Sequence, residues 1–214
     1  MGILQPAPVT AGSEPAVHVI DDDAALRTAL DSLFRSVGYE VHTFGSTAEF
    51  MASGRASSAG CLVLDVRLPG GNGLDFQAQL GSAGVAMPII LMTGHGDIPM
   101  TVRGMKAGAV DFLPKPFREQ DMLDAVGAAL ARDAERRAER QKDDELRQRL
   151  ESLTSRETQV MSRVATGKMN KQIAFDLDLS EITVKIHRGN AMRKMGAKNL
   201  AEFVKMAEAL GLRE

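Results

Sequence analysis

The sequence predicts a doubly wound α/β domain followed by a smaller all-α domain, and three observations carry this prediction. In the first half of the 214-residue chain, short apolar runs alternate with segments of helical periodicity. This is the pattern of a parallel sheet covered by helices on both faces. From residue 153 onward, only helical segments separated by short breaks remain. Between the two parts, residues 131–152 contain neither Gly nor Pro and consist mostly of helix-forming residues.

The apolar runs of the first half have the length and the boundaries of strands. They cover residues 17–20, 39–44, 60–65, 87–93 and 110–113. Helices are predicted between them at residues 23–37, from a capping-box sequence at 46–49, at 73–80, at 98–107 and from 117 onward. With right-handed crossovers, these elements form a five-stranded parallel sheet of the flavodoxin-like type.

The last third of the chain is predicted to contain four helices. A second capping-box sequence at 154–157 opens the first, Asn170 is expected to cap the second, and Ser180 to cap a third over 181–195. The fourth begins near Asn199 and ends at Gly211. Two helices joined by a tight turn are the arrangement of helix-turn-helix DNA-binding domains.

These elements divide the chain into four segments. Residues 1–13 are expected to be a flexible N-terminal tail, 14–130 the α/β domain, 131–152 a helical linker, and 153–214 the all-α domain. Leu146, Leu150 and Leu153 are spaced i, i+4, i+7 at the end of the linker. They fit either a solvated linker with a little apolar contact or a short dimeric coiled coil.

Charge differs between the two domains, although the net charge of the chain is only −2. Residues 1–128 hold 8 basic and 14 acidic side chains, a net −6, whereas residues 153–214 hold 11 and 7, a net +4. A basic domain suggests a nucleic-acid partner. No apolar run approaches the 18 or so residues of a membrane span, and the N-terminus lacks the pattern of a secretion signal. A single Cys, Cys61, leaves no internal disulfide, so we expect a cytoplasmic protein without a membrane partner.

Asp65 raises the first functional question, because it ends the apolar run CLVL and precedes a Pro-Gly turn. By itself it fits either a strand-end carboxylate in water or part of a site. The other strand ends decide between the two, because ligands of open parallel sheets sit beyond the carboxyl ends of the strands. Polar side chains predicted at that edge are Asp21, Asp22, Asp23, Asp65, Thr93 and Lys115.

These residue types suit phosphoryl chemistry. Clustered carboxylates repel one another unless a hard cation lies among them, and oxygen ligands favour Mg²⁺, or Mn²⁺ in its place. A carboxylate at such a site can accept a phosphoryl group and become an aspartyl phosphate. Lys115 would neutralise the phosphoryl oxygens, and Thr93 would donate a hydrogen bond to one of them.

The first part of the chain resembles a receiver domain of two-component response regulators. The matching stretches are VIDDD at 19–23, LDVRLPG at 64–70, MTGHGD at 92–97 and KPF at 115–117. The second part resembles the LuxR-type helix-turn-helix domain, through LTSRE at 153–157, NKQIA at 170–174 and ITVKIHRGNAMRKM at 182–195. Both halves together are similar to the FixJ-type subgroup.

This resemblance implies a role for each matching residue. Asp65 corresponds to the phosphoacceptor, Lys115 to the phosphate-binding lysine, Thr93 to the switch hydroxyl and Phe112 to the switch aromatic. Metal ligands would be Asp22 and Asp65 directly, the backbone carbonyl of Arg67, and Asp21 through water. His95 and Arg67 flank this site and are expected to tune hydrolysis of the phosphoryl group.

The third helix of the all-α domain is the predicted recognition helix. Its basic or polar positions are Lys185, His187, Arg188, Asn190, Arg193 and Lys194, while Ile182, Ile186 and Met195 can point to the core. The resemblance implies that Lys185, Ile186 and position 189 face bases, with Lys171 and Thr183 near the DNA backbone. Gly189 departs from relatives that carry a larger side chain there, which leaves room for Arg188 and Asn190. The competing interpretation is a solvated basic face.

The sequence therefore predicts a transcription factor gated by phosphorylation, and the resemblance implies that it is an activator. Expected partners are a sensor histidine kinase, double-stranded promoter DNA, RNA polymerase as a further candidate, and a second copy of the chain after phosphorylation. The fourth helix and fifth strand are the expected dimer surface, with Met100, Arg103, Met105 and Lys106 on it, and the linker is a second candidate. In the unphosphorylated chain the acidic receiver is expected to mask the basic tail.

Two other classes are disfavoured. A phosphatase of the haloacid-dehalogenase type needs a second acid two residues after Asp65, where this chain has Arg67. A receiver acting only through protein contacts would need an inert tail, and the helix-turn-helix pattern argues against that. Beyond self-phosphorylation and slow self-hydrolysis, no enzyme activity is expected.

Overall fold

The computed structural model describes residues 14–69, 71–94 and 98–212. These residues form two compact units, which divide between Arg137 and Ala138. The predicted tail at 1–13 and His95 lie outside the described residues. Among the described helices, none has the length and apolar content needed to cross a bilayer.

The first unit is built on a five-stranded parallel sheet, as predicted. Its strands are β1 (Ala16–Ile20), β2 (Glu40–Phe44), β3 (Gly60–Asp65), β6 (Ile89–Thr93) and β7 (Asp111–Pro114). They lie in the order β2-β1-β3-β6-β7. Two-residue strands β4 (Arg67–Leu68) and β5 (Gly71–Asn72) pair antiparallel directly after β3. The strand order reverses between β1 and β3, which places the ligand crevice of this fold at their carboxyl ends.

Helices cover both faces of the sheet. They are α1 (Ala24–Ser36), α2 (Thr47–Ala52), α3 (Gly73–Ser82), α4 (Ile98–Lys106) and α5 (Glu119–Glu151), with a 3-10 turn at Arg55–Ser57. One apolar core lies between the sheet and α1 with the first part of α5, and the other between the sheet and α2, α3 and α4. Half of the predicted capping box at 46–49 is present: Ser46 accepts from the Glu49 amide, but the Glu49 carboxylate accepts from Gly45 rather than Ser46.

The second unit is all-helical. It contains α6 (Ser155–Ala165), α7 (Asn170–Leu177), α8 (Glu181–Met195) and α9 (Leu200–Ala209), together with the end of α5. The capping box of α6 has both of its hydrogen bonds, Thr154 with the Glu157 amide and Glu157 with the Thr154 amide. The predicted cap of α7 is wrong: Met169 is the N-cap, and the Asn170 side chain instead accepts a hydrogen bond from Arg188.

The leucine stripe of the linker is used within this unit. Leu146, Leu150 and Leu153 pack, partly buried, against the core formed by α6 to α9. Arg149 adds a hydrogen bond to the carbonyl of Met195 at the end of α8. The last turns of α5 are therefore a structural part of the helical domain. These leucine contacts are the apolar contact expected if the linker is otherwise solvated.

Candidate functional site

The carboxyl ends of the sheet strands bring together the acidic and basic side chains singled out in the sequence. β1 and β3 are adjacent and parallel, with Ile20 in register with Leu64, so Asp21 and Asp65 emerge side by side. The Lys115 ammonium donates to Asp21 Oδ2 and to Asp65 Oδ2, both at 2.6 Å. One cation thus bridges two carboxylates that follow neighbouring strands.

Burial sets the electrostatics of this group. Asp21 is fully buried and Asp65 nearly so. Burial raises the pKa of Asp21 above its usual value, and the hydrogen bond from Lys115 only partly opposes this. Burial also pulls the pKa of Lys115 downward, but the hydrogen bonds to Asp21 and Asp65 outweigh that effect and raise it. Lys115 therefore remains a cation at neutral pH.

The acidic cluster also fits a divalent cation. Asp21, Asp22 and Asp65 each offer a carboxylate oxygen, and these oxygens lie within 4.8 Å of one another. Asp22 is exposed, so the cluster opens to solvent on that side. An all-oxygen donor set that is partly solvated suits Mg²⁺ or Mn²⁺.

Backbone contacts fix the loop that carries Asp65. The amide of Arg67 donates to Asp65 Oδ1 at 3.0 Å, and the amide of Val66 donates to the Met92 carbonyl at 2.8 Å. Gly73 packs against this loop so closely that a Cβ there would lie 2.4 Å from the Asp65 carbonyl oxygen. Only glycine fits at position 73, which is why the first helical residue after the loop has no side chain.

Thr93 and Phe112 occupy two positions further along the sheet. Thr93 is buried at the end of β6, and its carbonyl accepts from the Lys115 amide at 2.7 Å. Phe112 lies on β7, in register with Leu91, and packs half-buried on the core beneath α4. The nearest ring atom of Phe112 would be 3.6 Å from a Cβ at Gly104 of α4. A change in the side-chain conformation of Phe112 would therefore alter its packing against α4.

Arg27 also belongs to this site, although no sequence motif singles it out. Its guanidinium donates to the backbone carbonyl of Asp21 at 2.6 Å. The amide of Asp23 meanwhile donates to Asp21 Oδ1 at 2.8 Å. Arg27 lies six residues after Asp21, on the first helix, and that proximity is the only signal that could have pointed to it.

A second candidate site is the exposed face of α8. Ser180 caps the helix by accepting from the Thr183 amide, and Val184, Ala191 and Met195 form its buried face. The opposite face is exposed, and it carries Ile182, Lys185, Ile186, Gly189 and Arg193. Ile182 and Ile186 were expected to point to the core, and this prediction is wrong because both are exposed. Met195 does point to the core, as predicted.

Of the other basic or polar side chains predicted to contact DNA, some form hydrogen bonds within the domain and others are exposed. Arg188 donates to Asn170 Oδ1 at 3.0 Å, and Arg193 donates to Asn190 Oδ1 at 3.1 Å. Lys194 donates to the buried Glu157 carboxylate at 2.6 Å and to the Ser152 carbonyl. This pairing holds Lys194 within the domain and argues against it as a phosphate contact. Lys171 and Lys185 are exposed, and Thr183 and His187 are partly exposed.

Comparisons with known proteins identify the family of each of the two domains. The family model of the response regulator receiver domain matches residues 17–127. That of the bacterial regulatory proteins of the luxR family matches residues 151–207. Nodulation protein W of Bradyrhizobium diazoefficiens is 54% identical over 202 residues, which cover 94% of this chain and 89% of that protein.

Two further relatives extend the likeness along most of the chain. Response regulator protein TodT of Pseudomonas putida is 47% identical over 194 residues, covering 91% of this chain and 86% of its own. The solved structure of the response regulator StyR is 49% identical, with a TM-score of 0.84, and covers 92% of this chain and 99% of that one.

Proposed function

Because the chain belongs to the transcriptional response regulators that join a receiver domain to a LuxR-type DNA-binding domain, we propose that a phosphoryl group on Asp65 controls its binding to promoter DNA. The observation that carries the proposal is the Lys115 ammonium, 2.6 Å from Asp65 Oδ2 at the carboxyl edge of the sheet. The phosphoryl donor is a phosphohistidine of a sensor kinase.

In the transfer step, a carboxylate oxygen of Asp65 attacks the phosphorus. The new P–O bond forms as the P–N bond to the imidazole breaks, and the leaving imidazole takes up a proton from water. Lys115 moves from bridging two carboxylates to neutralising the phosphoryl oxygens. Thr93 serves as a hydrogen-bond donor to the same group.

Asp22 and Asp65 would hold Mg²⁺ or Mn²⁺ directly, with the carbonyl of Arg67, and Asp21 through water. When bound, the ion supplies positive charge against the phosphoryl oxygens. The burial of Asp21 and its hydrogen bond from the Asp23 amide keep that carboxylate aimed at the site. Arg27 supports the same loop through the Asp21 carbonyl.

The signal leaves the site through Thr93 and Phe112 to α4. Gly104 allows α4 to pack close to Leu91 and Phe112, and Gln77 of α3 donates to the Gly104 carbonyl at 3.2 Å. Rearrangement of Thr93 and Phe112 would shift this tightly packed helix rather than deform it gradually.

The outer face of α4 is suited to pair with a second copy. Ile98, Val102 and Met105 are exposed there at the spacing i, i+4, i+7, beside Arg103 and Lys106. We call these five residues the α4 face. Met100, which the sequence also assigned to this surface, packs half-buried on the core beneath. Phosphorylated copies pair through the α4 face and β7.

We retain a receiver at 14–130, a linker at 131–152 and a DNA-binding domain at 153–214, with the last turns of the linker packed on the core of the DNA-binding domain. Two such domains in a dimer match a two-fold-symmetric site on double-stranded DNA. The protein acts in the cytoplasm, and RNA polymerase is its further partner. In the unphosphorylated chain, the net −6 of residues 1–128 masks the net +4 of residues 153–214.

The test measures molecular mass and DNA affinity on one sample, with Mg²⁺ and either beryllofluoride or a small phosphodonor. The wild-type chain is expected to change from monomer to dimer and to bind DNA more tightly. Asp65→Asn should abolish both changes, while Asp31→Asn, a partly exposed carboxylate on α1 paired with Arg35, should leave them intact. A chain that is dimeric and binds DNA equally well before and after treatment would refute gating through Asp65.

Masking has its own measurement. A fragment that begins at residue 138, where the second compact unit begins, should bind DNA more tightly than the untreated full chain. Equal affinities would rule masking out and leave gating through dimerisation alone.

A further inference from the structure

Two isoleucines on the recognition helix are left open to solvent. Ile182 is 73% exposed and Ile186 is 57% exposed. They lie four residues apart on α8, so they stand one above the other on a single face. Isoleucine is among the residues most often buried, and two exposed on one turn form an apolar surface that needs an explanation.

The rest of the helix fixes this face outward. Val184, Ala191 and Met195 are buried on the opposite side of α8. At the N-terminus the Ser180 hydroxyl accepts from the Thr183 amide at 3.1 Å, and at mid-helix Arg188 donates to Asn170 of α7 at 3.0 Å. The helix cannot rotate to bury its isoleucines without breaking these contacts and exposing its core residues.

Positive charge and open space surround the pair. Lys185 is exposed between the two isoleucines along the sequence, and Arg193 continues the same face toward the C-terminus. Gly189 lies on that face one turn after Lys185 and Ile186, and a Cβ there would meet nothing within 4 Å. A surface that is apolar at its centre, cationic beside it and free of side-chain bulk can approach a polyanion closely.

The major groove of DNA meets these requirements. Its phosphates attract the cations, while thymine presents a C5-methyl group on the groove floor, the only apolar group that an unmodified base pair displays there. An apolar peptide is the alternative ligand, because the two isoleucines could also pack against aliphatic side chains. The lysine and arginine beside the isoleucines favour the nucleic acid, and the position of the pair on the first two turns of the helix agrees with the part that reads bases.

We propose that Ile182 and Ile186 form a thymine-reading pair, each in contact with the C5-methyl group of one thymine in the half-site. This inference rests on the proposed DNA-binding function and adds the bases that it selects. Four residues of helix rise about 6 Å, close to two base-pair steps of about 3.4 Å each. The two thymines should therefore lie within about two base pairs of each other.

The experiment uses the full chain with beryllofluoride and Mg²⁺, and a binding site selected from random double-stranded DNA. Each thymine of the site is then replaced by deoxyuridine, which removes the methyl group and keeps every hydrogen-bonding atom. At two positions the substitution should weaken binding about fourfold, the effect of one buried methyl group. At the remaining thymines it should have no effect.

Alanine variants assign each methyl group to its side chain. Ile182→Ala should bind the thymine and uracil forms equally well at one of the two positions, and Ile186→Ala should do so at the other. Leu200→Ala, an exposed leucine on α9, should keep both uracil effects. Both isoleucines are exposed and alanine favours helix, so the variants should fold, and helical content by circular dichroism checks this.

Different outcomes refute the inference and the proposed function. A chain that binds its selected DNA but tolerates uracil at every position, or whose alanine variants keep both uracil effects, has no thymine-reading pair, although it remains a DNA-binding regulator. Loss of binding to all DNA in the alanine variants, with their helical content intact, would also refute it, because the pair would then serve general affinity. A wild-type chain that selects no DNA would refute the proposed function itself, and this inference with it.

Discussion

The guanidinium of Arg149 donates a hydrogen bond to the carbonyl oxygen of Met195, 3.1 Å away. It joins the end of α5 to the last residue of α8. Gly196, directly after it, adopts a φ of 74°, and a Cβ there would lie 2.9 Å from the same guanidinium. The C-terminal end of the linker helix α5 is thus bonded to the DNA-binding domain that follows it.

Removing this contact should destabilise the DNA-binding domain. Arg149→Ala leaves a C-terminal carbonyl of α8 without its side-chain donor, and we expect a loss of about 1 kcal/mol in the free energy of unfolding of that domain. Arg147→Ala, an exposed arginine on the same helix, should change it by no more than about 0.5 kcal/mol. Urea unfolding followed by helical circular dichroism measures both, and equal effects would mean that the contact has no energetic role.

A methyl group at position 73 should disturb the loop that follows Asp65, the proposed phosphoacceptor. In Gly73→Ala the Cβ would lie 2.4 Å from the Asp65 carbonyl oxygen and 2.9 Å from the Val66 Cα, and both are backbone atoms that cannot rotate away. We expect phosphorylation from a small donor to slow roughly tenfold or more, because a misplaced nucleophile reacts poorly. Gly81→Ala on the same helix meets nothing within 4 Å and should phosphorylate normally. Equal rates for the two variants would show that the loop tolerates the shift.

Local signals in the sequence predicted most of the fold. The strand at 60–65 has the bounds of β3, and the capping box at 154–157 is present with both bonds. Each depends on residues that are neighbours along the chain. The carboxyl-edge convergence of Asp21, Asp65 and Lys115 also followed from the sequence, because parallel strands must end at one edge of a sheet.

Predictions failed, or missed a contact, where residues distant in the chain or the surroundings of a helix face decided the outcome. Asn170 does not cap α7 because Arg188, 18 residues later, takes its amide oxygen. Lys194 pairs with Glu157, 37 residues earlier, and spacing along the chain gives no sign of this contact. Ile182 follows helical periodicity yet is exposed, because periodicity identifies a face without saying whether protein or another partner covers it.

Acid should destabilise the receiver through His18. This side chain is fully buried, with its Nε2 3.0 Å from the Ser58 hydroxyl and its ring stacked on His42. Burial, followed by the nearby charges of His42 and Arg55, lowers the pKa of His18 from 6.5 to about 4. Because the unfolded chain binds this proton more readily, stability is fully present above pH 6.5 and is lost as the pH falls toward 4, by about 3 kcal/mol.

The measurement is the free energy of unfolding of the receiver at several pH values between 7 and 4. His18→Gln cannot titrate, so its stability should fall less steeply over this range, whatever its stability at pH 7. His187→Gln, in the other unit, should keep the wild-type slope. If His18→Gln and the wild type lose stability in parallel, another group governs the acid limb.

A charge on the α4 face should block dimerisation without affecting phosphorylation. Val102 is 43% exposed at the centre of the exposed stripe between Ile98 and Met105. Val102→Asp would bury a carboxylate in the paired surface, and we expect the phosphorylated chain to dimerise about tenfold or more weakly. Met51→Asp places the same charge at a position of similar exposure on α2, and this variant should dimerise as the wild type does.

Sedimentation of the beryllofluoride-treated chains compares the two variants, with phosphorylation of each variant measured separately. A Val102→Asp chain that is phosphorylated and still dimerises normally would place the interface elsewhere on the receiver, because a buried, unpaired carboxylate at the centre of this stripe could not be accommodated.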